Sequence, residues 1–167
     1  MRSIKIFDDG FKSCCFTGYR PQKFPFALEK DDIKYTEFEN RLCDTVLSLC
    51  ERGVFTFYTD DCRVFYTGMA SGFDIIAAET VLQIRESYNK GAIQIVAAIP
   101  FGGQASKFDD AWKKRYDAVL KSVDETVVLS DNYYRGCFWR RNEFMVDNSD
   151  YVVTWYDGKQ GGTRNTL

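Results

Sequence analysis

The chain contains no histidine among its 167 residues and only three prolines. Without histidine there is no Ser-His-Asp triad, no imidazole zinc ligand and no side chain that titrates near neutral pH unaided. Chemistry then falls to carboxylates, Arg, Lys, Tyr, hydroxyls or a thiol. An excess of positive charge is also missing: 22 Lys and Arg stand against 24 Asp and Glu, a net charge of -2, with a pI near 5.3. That balance disfavours a general nucleic-acid or membrane-surface binder, whose basic face would show in the total. A local basic patch remains around Arg135, Arg140 and Arg141. The N-terminal MRSIKIFDDGFKS lacks the apolar run of a signal peptide, and no stretch is long enough to span a bilayer. The six cysteines include no CxxC pair. They are expected to be reduced, mostly buried thiols of a cytoplasmic protein, and neither a metal nor a cofactor is expected.

What is present is a regular alternation. Apolar residues make up 45% of the chain, and no low-complexity tract or Pro/Gly/Ser linker divides it. SCCFT (13–17) reads as a buried strand, with Cys14 and Cys15 pointing to opposite faces. Residues 35–52 read as a helix, because Tyr35, Phe38, Leu42, Val46 and Leu49 share one face. RVFYT (63–67) is a second strand, and the alternating VFTFYT just before it is a candidate to pair with it. A helix over 74–88 turns Ile75, Ala78 and Leu82 inward, and IQIVAAI (93–99) is the clearest central strand. A helix near 109–122, the strand ETVVL (125–129), a helix near 137–148 and the strand YVVTWY (151–156) complete the series. This pattern predicts an α/β, Rossmann-like domain: an open, mainly parallel sheet of five or slightly more strands with helices on both faces.

Ligands of such sheets sit outside the carboxyl ends of the strands. The segments leaving those ends are TGYRP, TGMASGFD, PFGGQ, SDNYYRG and YDGKQGGT, all rich in glycine, hydroxyls or both. In the second, Gly68, Ser71 and Gly72 let backbone amides approach a phosphate at a helix N-terminus. Asp74 opens that helix, either as its cap or as a holder of ribose hydroxyls. The spacing is not that of the dinucleotide fingerprint GxGxxG. Thr17, Gly18 and Arg20 leave the first strand. Taken alone, Arg20 is a surface arginine before a turn; with the other loops on the same edge it becomes a phosphate ligand. Arg141 falls at helical spacing with Phe138 and Met145, and an arginine on an apolar face usually anchors a carboxylate or an anion. Trp139, Trp155 and Tyr156 are core candidates first and base-stacking candidates second. In the tail, Gly161, Gly162, Thr163 and Asn165 form a further glycine-hydroxyl turn.

These segments together resemble the SLOG superfamily and, within it, the YpsA-like group. The residues that carry the likeness are FTGYRP, YTGMASGFDIIAAE, AIPFGGQ, the run from FWRRNEFMVDNSD to VVTWYDG, and GGTRNT, spanning 14–166. Tyr19 stands where the group usually has a histidine. The resemblance implies a Rossmann-like fold with a pocket for nucleotides or nucleotide-derived ligands. The superfamily includes the Lonely Guy phosphoribohydrolases, sensors of cyclic ADP-ribose-type signals and the DNA-binding DprA proteins. The phosphoribohydrolases carry an Arg-Lys pair and a downstream Met, then PGGxGTxxE. Arg141, Asn142 and Met145 match the first pattern with Asn in place of Lys, and Gly162 and Thr163 match the GT. The closing glutamate, the expected acid-base group, falls on Thr166, which removes help commonly worth about 10² to 10⁴ in rate.

The leading expectation is therefore a cytoplasmic binder of a nucleotide-derived small molecule, a sensor or a sequestering module, with Asn142 among the ligand-binding residues. A second reading is cleavage of nucleotide N-glycosidic bonds with Asp74 or Asp157 as the catalytic carboxylate. A third is a DprA-like DNA-binding protein, which the acidic pI disfavours. One domain over 1–167 is expected, stopping short of a C-terminal helix. A homodimer stays open by analogy with the superfamily, although no self-complementary patch is legible.

Overall fold

The structure, a computed structural model, describes residues 11–50, 62–88, 93–159 and 163. The candidate pairing strand VFTFYT and, in the tail, Gly161, Gly162 and Asn165 lie outside the described residues. Strands β1 (Lys12–Gly18), β2 (Cys62–Thr67), β3 (Gln94–Ile99), β4 (Glu125–Val128) and β5 (Tyr151–Trp155) alternate with helices α1 (Ile33–Cys50), α2 (Phe73–Tyr88), α3 (Asp110–Leu120) and α4 (Cys137–Asp147). The strand order is β4-β3-β2-β1-β5, and every pair is parallel. The chain moves outward from β1 to β4 and then crosses back to lay β5 on the far side of β1. The direction of winding therefore reverses between β1 and β5, the place where open α/β sheets leave a crevice.

Side-chain alternation along the strands divides the core. Cys14, Phe16, Phe65 and Ile95 face α1 and α2, whereas Cys15, Val64, Tyr66, Val96 and Ala98 face Met145 of α4. The adjacent cysteines do point to opposite faces. Helix α2 is covered on two sides: Ile76, Ala77, Val81 and Ile84 join the α1 cluster, while Ile75 and Ala78 meet Tyr116 and Val119 of α3. That explains its nearly continuous apolar circumference. Phe16 and Phe65 stack at 5.9 Å, and each fully buried ring of this size contributes roughly 1.5–3 kcal/mol. Trp155 meets Phe38 at 4.9 Å and belongs to this packing, as the core reading of it expected.

Two contacts fix the carboxyl edge. At Gly72, φ is +96°, and an added Cβ would lie 2.5 Å from the Tyr19 carbonyl oxygen. That same carbonyl accepts a 3.0 Å hydrogen bond from the Phe73 amide. At Gly18, an added Cβ would lie 2.4–2.7 Å from three atoms of the Phe73 side chain. The start of α2 thus rests directly on the end of β1, and glycine at both positions makes the approach possible.

Candidate functional site

The loop after β2 is organised from Thr67, a residue that no motif singles out. Its buried hydroxyl donates to the Asp74 carbonyl at 3.0 Å and accepts from the Met69 amide at 3.2 Å. Met69 has φ +57°, an uncommon conformation for a non-glycine residue. The turn then reverses so that the Asp74 carboxylate reaches back to the Ala70 amide at 3.3 Å. Asp74 therefore caps the loop before its helix. Its second carboxylate oxygen makes no hydrogen bond among the described residues. The Ser71 and Gly72 amides, at the N-terminus of α2, also make none among the described residues, the arrangement an anion seeks.

Opposite this turn, α4 presents Cys137, Arg141 and Met145 as its buried stripe. Arg141 is 5% exposed and Asp74 is 4% exposed. The Arg141 guanidinium donates through Nη1 to the Gly68 carbonyl and through Nε to the Asn142 side chain at 2.7 Å. Gly68 lets the guanidinium lie against the backbone: a Cβ there would meet Nη1 at 2.6 Å and Cζ at 2.7 Å. Gln104, in a 3-10 turn over Gln104–Lys107, donates its Nε2 to the same Gly68 oxygen at 3.0 Å. It closes the segment PFGGQ, whose glycines drew attention while its glutamine did not.

Burial pushes the Asp74 carboxyl up to about 6, against the opposing pull of Arg141, the Ala70 amide and Arg20. Burial also pulls Arg141 down from the ordinary arginine range, with Asp74 opposing the change; a guanidinium in this setting still keeps its proton. The Arg20 side chain makes no hydrogen bond or ion pair among the described residues, although its carbonyl accepts from the Lys23 amide at 3.0 Å. Its guanidinium carbon lies 5.8 Å from the centre of the Phe138 ring, the same distance at which Arg141 approaches that ring.

A cavity of about 280 Å³ opens between these elements. Thr17, Gly18, Arg20, Asp74, Arg141, Asn142 and Thr163 line it, together with Tyr19, Lys23, Ala70 and Phe138. Seven of the residues singled out from sequence therefore meet at one place. Gly68 and Gly72 shape the turn behind it, and Ser71 lines an adjoining cavity. Asp157 does not line either space. It sits at the end of β5, accepting a hydrogen bond from the Tyr19 hydroxyl and another from the Lys159 amide at 3.0 Å. The Tyr19 bond, first among these causes, lowers Asp157 to about 2, and the same bond raises the Tyr19 phenol. Trp139 is exposed, and Tyr156 packs edge-on against Tyr19; neither lines the two cavities.

Two cations, Arg20 and Arg141, and one carboxylate, Asp74, thus face one cavity at this edge, with Ser71 on the cavity beside it. Comparison with known proteins supplies the family. The family model YpsA, described as the YspA SLOG family, matches residues 14–167. The chain belongs to that family. A UPF0398 protein of Bacillus velezensis is 26% identical over 154 residues, covering 91% of this chain and 79% of the relative. The UPF0398 protein YpsA of Bacillus subtilis is 23% identical over 154 residues, with the same coverage of 91% and 79%. The SPbeta prophage-derived protein YoqJ of Bacillus subtilis is 29% identical over 115 residues, covering 62% of this chain and 66% of the relative. Among solved structures, DNA processing protein A (DprA) from Streptococcus pneumoniae superposes with a TM-score of 0.57 at 18% identity. That match covers 94% of this chain but only 46% of DprA, and it shows a shared Rossmann-like fold. Among the described residues, no helix is long and apolar enough to cross a membrane.

Proposed function

We propose that this SLOG domain binds a nucleotide or nucleotide-derived phosphoester at the carboxyl edge of its sheet, as a sensor or sequestering module. The observation that carries the reading is Arg20: its guanidinium makes no hydrogen bond or ion pair among the described residues and stands on the wall of a cavity that Asp74 and Arg141 also line. Arg20 and Arg141, both on the wall of the smaller cavity, supply charge and N–H donors for a phosphate. The unbonded Asp74 oxygen and the Asn142 amide are suited to ribose hydroxyls. Membership of the family supports a shared ligand class, and the loss of the hydrolase glutamate at Thr166 favours binding over turnover.

One feature favours cleavage of an N-glycosidic bond as the second reading. Asp74, raised to about 6, carries a proton part of the time near neutral pH, as a general acid must. Asp157, lowered to about 2, lacks that property. The test is incubation with AMP, NAD, ADP-ribose and cyclic ADP-ribose, followed by mass spectrometry of the bound and free fractions. An intact ligand in the bound fraction is expected. Free base with ribose 5-phosphate, abolished by Asp74→Asn, would establish the hydrolase instead.

A further inference from the structure

A second, larger cavity of about 690 Å³ adjoins the first, and the two share Arg20 and Phe138 as a common wall. Its character differs. Phe101, Phe108, Trp112, Tyr133 and Phe138 line it, and three of these rings form a packed group. Phe101 meets Tyr133 edge-on at 5.5 Å and Phe138 at 6.0 Å, while Tyr133 and Phe138 lie 6.3 Å apart. Tyr133 is nevertheless 64% exposed, so one ring of the group stands open to solvent at the cavity mouth. Such a wall suits a planar, aromatic ligand group.

Gln104 adds a polar requirement. It lines the same cavity and is 6% exposed. Because its Nε2 must face the Gly68 carbonyl to donate to it, the orientation of the amide is settled. That leaves Oε1 as a buried acceptor with no hydrogen-bond partner. A buried carbonyl oxygen without a donor is uncommon, and a ligand N–H is one way to satisfy it.

We infer that the larger cavity is a nucleobase subsite: the base packs against the Phe101–Tyr133–Phe138 rings and donates an N–H to Gln104 Oε1, while its phosphate occupies the smaller cavity across Arg20. This rests on the nucleotide reading above and adds to it a base-dependent step in affinity. It also makes Gln104 and Tyr133 specificity residues that the phosphate never touches.

The test is titration calorimetry of the whole chain with ribose 5-phosphate and with each of the four ribonucleoside 5'-monophosphates. At least one nucleotide is expected to bind about 10-fold or more tightly than ribose 5-phosphate. Tyr133→Ala, at an exposed position, should shrink that ratio while leaving ribose 5-phosphate binding unchanged. Gln104→Met should reduce the preferred nucleotide's advantage by about 10-fold, the usual effect of leaving a buried donor unpaired. If all four nucleotides bind no better than ribose 5-phosphate, or the ratio survives both substitutions, the base subsite is refuted and the phosphate site stands. If neither ribose 5-phosphate nor any nucleotide binds, the nucleotide reading itself falls, and the base subsite with it.

Discussion

Asp74 should leave a measurable signature in the stability of the protein. Its carboxyl titrates at about 6 in the fold, against an ordinary value of 3.8, chiefly because it is buried. Between those two pH values the folded state holds a proton that the unfolded chain has already released. Stability therefore falls as pH rises through this window, opposite to the behaviour of a salt-bridged carboxylate. The interval from 3.8 to about 6, at about 1.4 kcal/mol per pH unit, amounts to about 3 kcal/mol. The assay is urea denaturation of wild type and Asp74→Asn from pH 4 to pH 8. The difference in unfolding free energy, wild type minus variant, should decline by about 2 kcal/mol across pH 4–6, the remainder of the total falling outside that range, and level off above pH 7. Taking the difference removes titrations common to both proteins, and Asp157 acts below the window because its value is depressed to about 2. A difference that stays flat, or that rises with pH, would show that Arg141 and the Ala70 amide outweigh burial, and the account of this pair would be wrong.

Four further outcomes follow from the same geometry. Arg20→Gln should change stability by less than about 0.5 kcal/mol, since the Arg20 side chain makes no hydrogen bond or ion pair among the described residues; phosphate affinity, read by calorimetry, should drop about 10-fold or more. Gly68→Ala puts a Cβ 2.6 Å from Arg141 Nη1, so phosphate binding should weaken strongly even where thermal unfolding moves only a few degrees. Gly72→Ala and Gly136→Ala form a pair: φ is +96° at the first and +98° at the second, but only the first also meets backbone. The Gly136 variant should lose about 1–2 kcal/mol in denaturant unfolding and the Gly72 variant distinctly more. Tyr19→Phe should let the Asp157 carboxyl rise from about 2 toward its ordinary value, visible by NMR titration, and the stability that Asp157 supplies above that range should then be lost at higher pH as the solution is acidified.

The strands and helices were legible because their signals are local. SCCFT, RVFYT and IQIVAAI are too short and too apolar for anything but buried strands; the first two fall within β1 and β2, and the third exceeds β3 by Ile93 alone. The first residue of α1 shifts by two, to Ile33, because end turns are set by caps and neighbours and not by the apolar stripe; residues 51 and 52, where the predicted helix ended, lie outside the described residues. Strand order reached the site as well: once the sheet was read as parallel, the loops bearing Arg20, Asp74 and Arg141 had to share one edge. What periodicity could not convey was side-chain direction within loops. Asp74 and Asp157 are equivalent on paper, yet one is enclosed by α4 and the other is engaged by Tyr19 at the rim. Thr67 and Gln104 carry no motif, since each acts through a backbone oxygen that the sequence does not display. Trp139, Trp155 and Tyr156 read as core first and base-stacking second, and Trp155 is core; the rings grouped at the larger cavity are instead Phe101, Tyr133 and Phe138, which come together only through the segments after β3 and β4.

The Gly68 carbonyl joins the two cavities. A single oxygen receives Arg141 from α4 on one side and Gln104 from the turn after β3 on the other. With both lone pairs engaged, that oxygen works as a spacer, holding one residue from the wall of each cavity at a set separation. Widening either cavity along this direction would break a bond belonging to the other, so the two compartments have one gauge between them. A ligand held here, as proposed above, would meet a fixed template: it would be measured against an opening already cut to size, and discrimination between ligands should appear mainly in how long they stay.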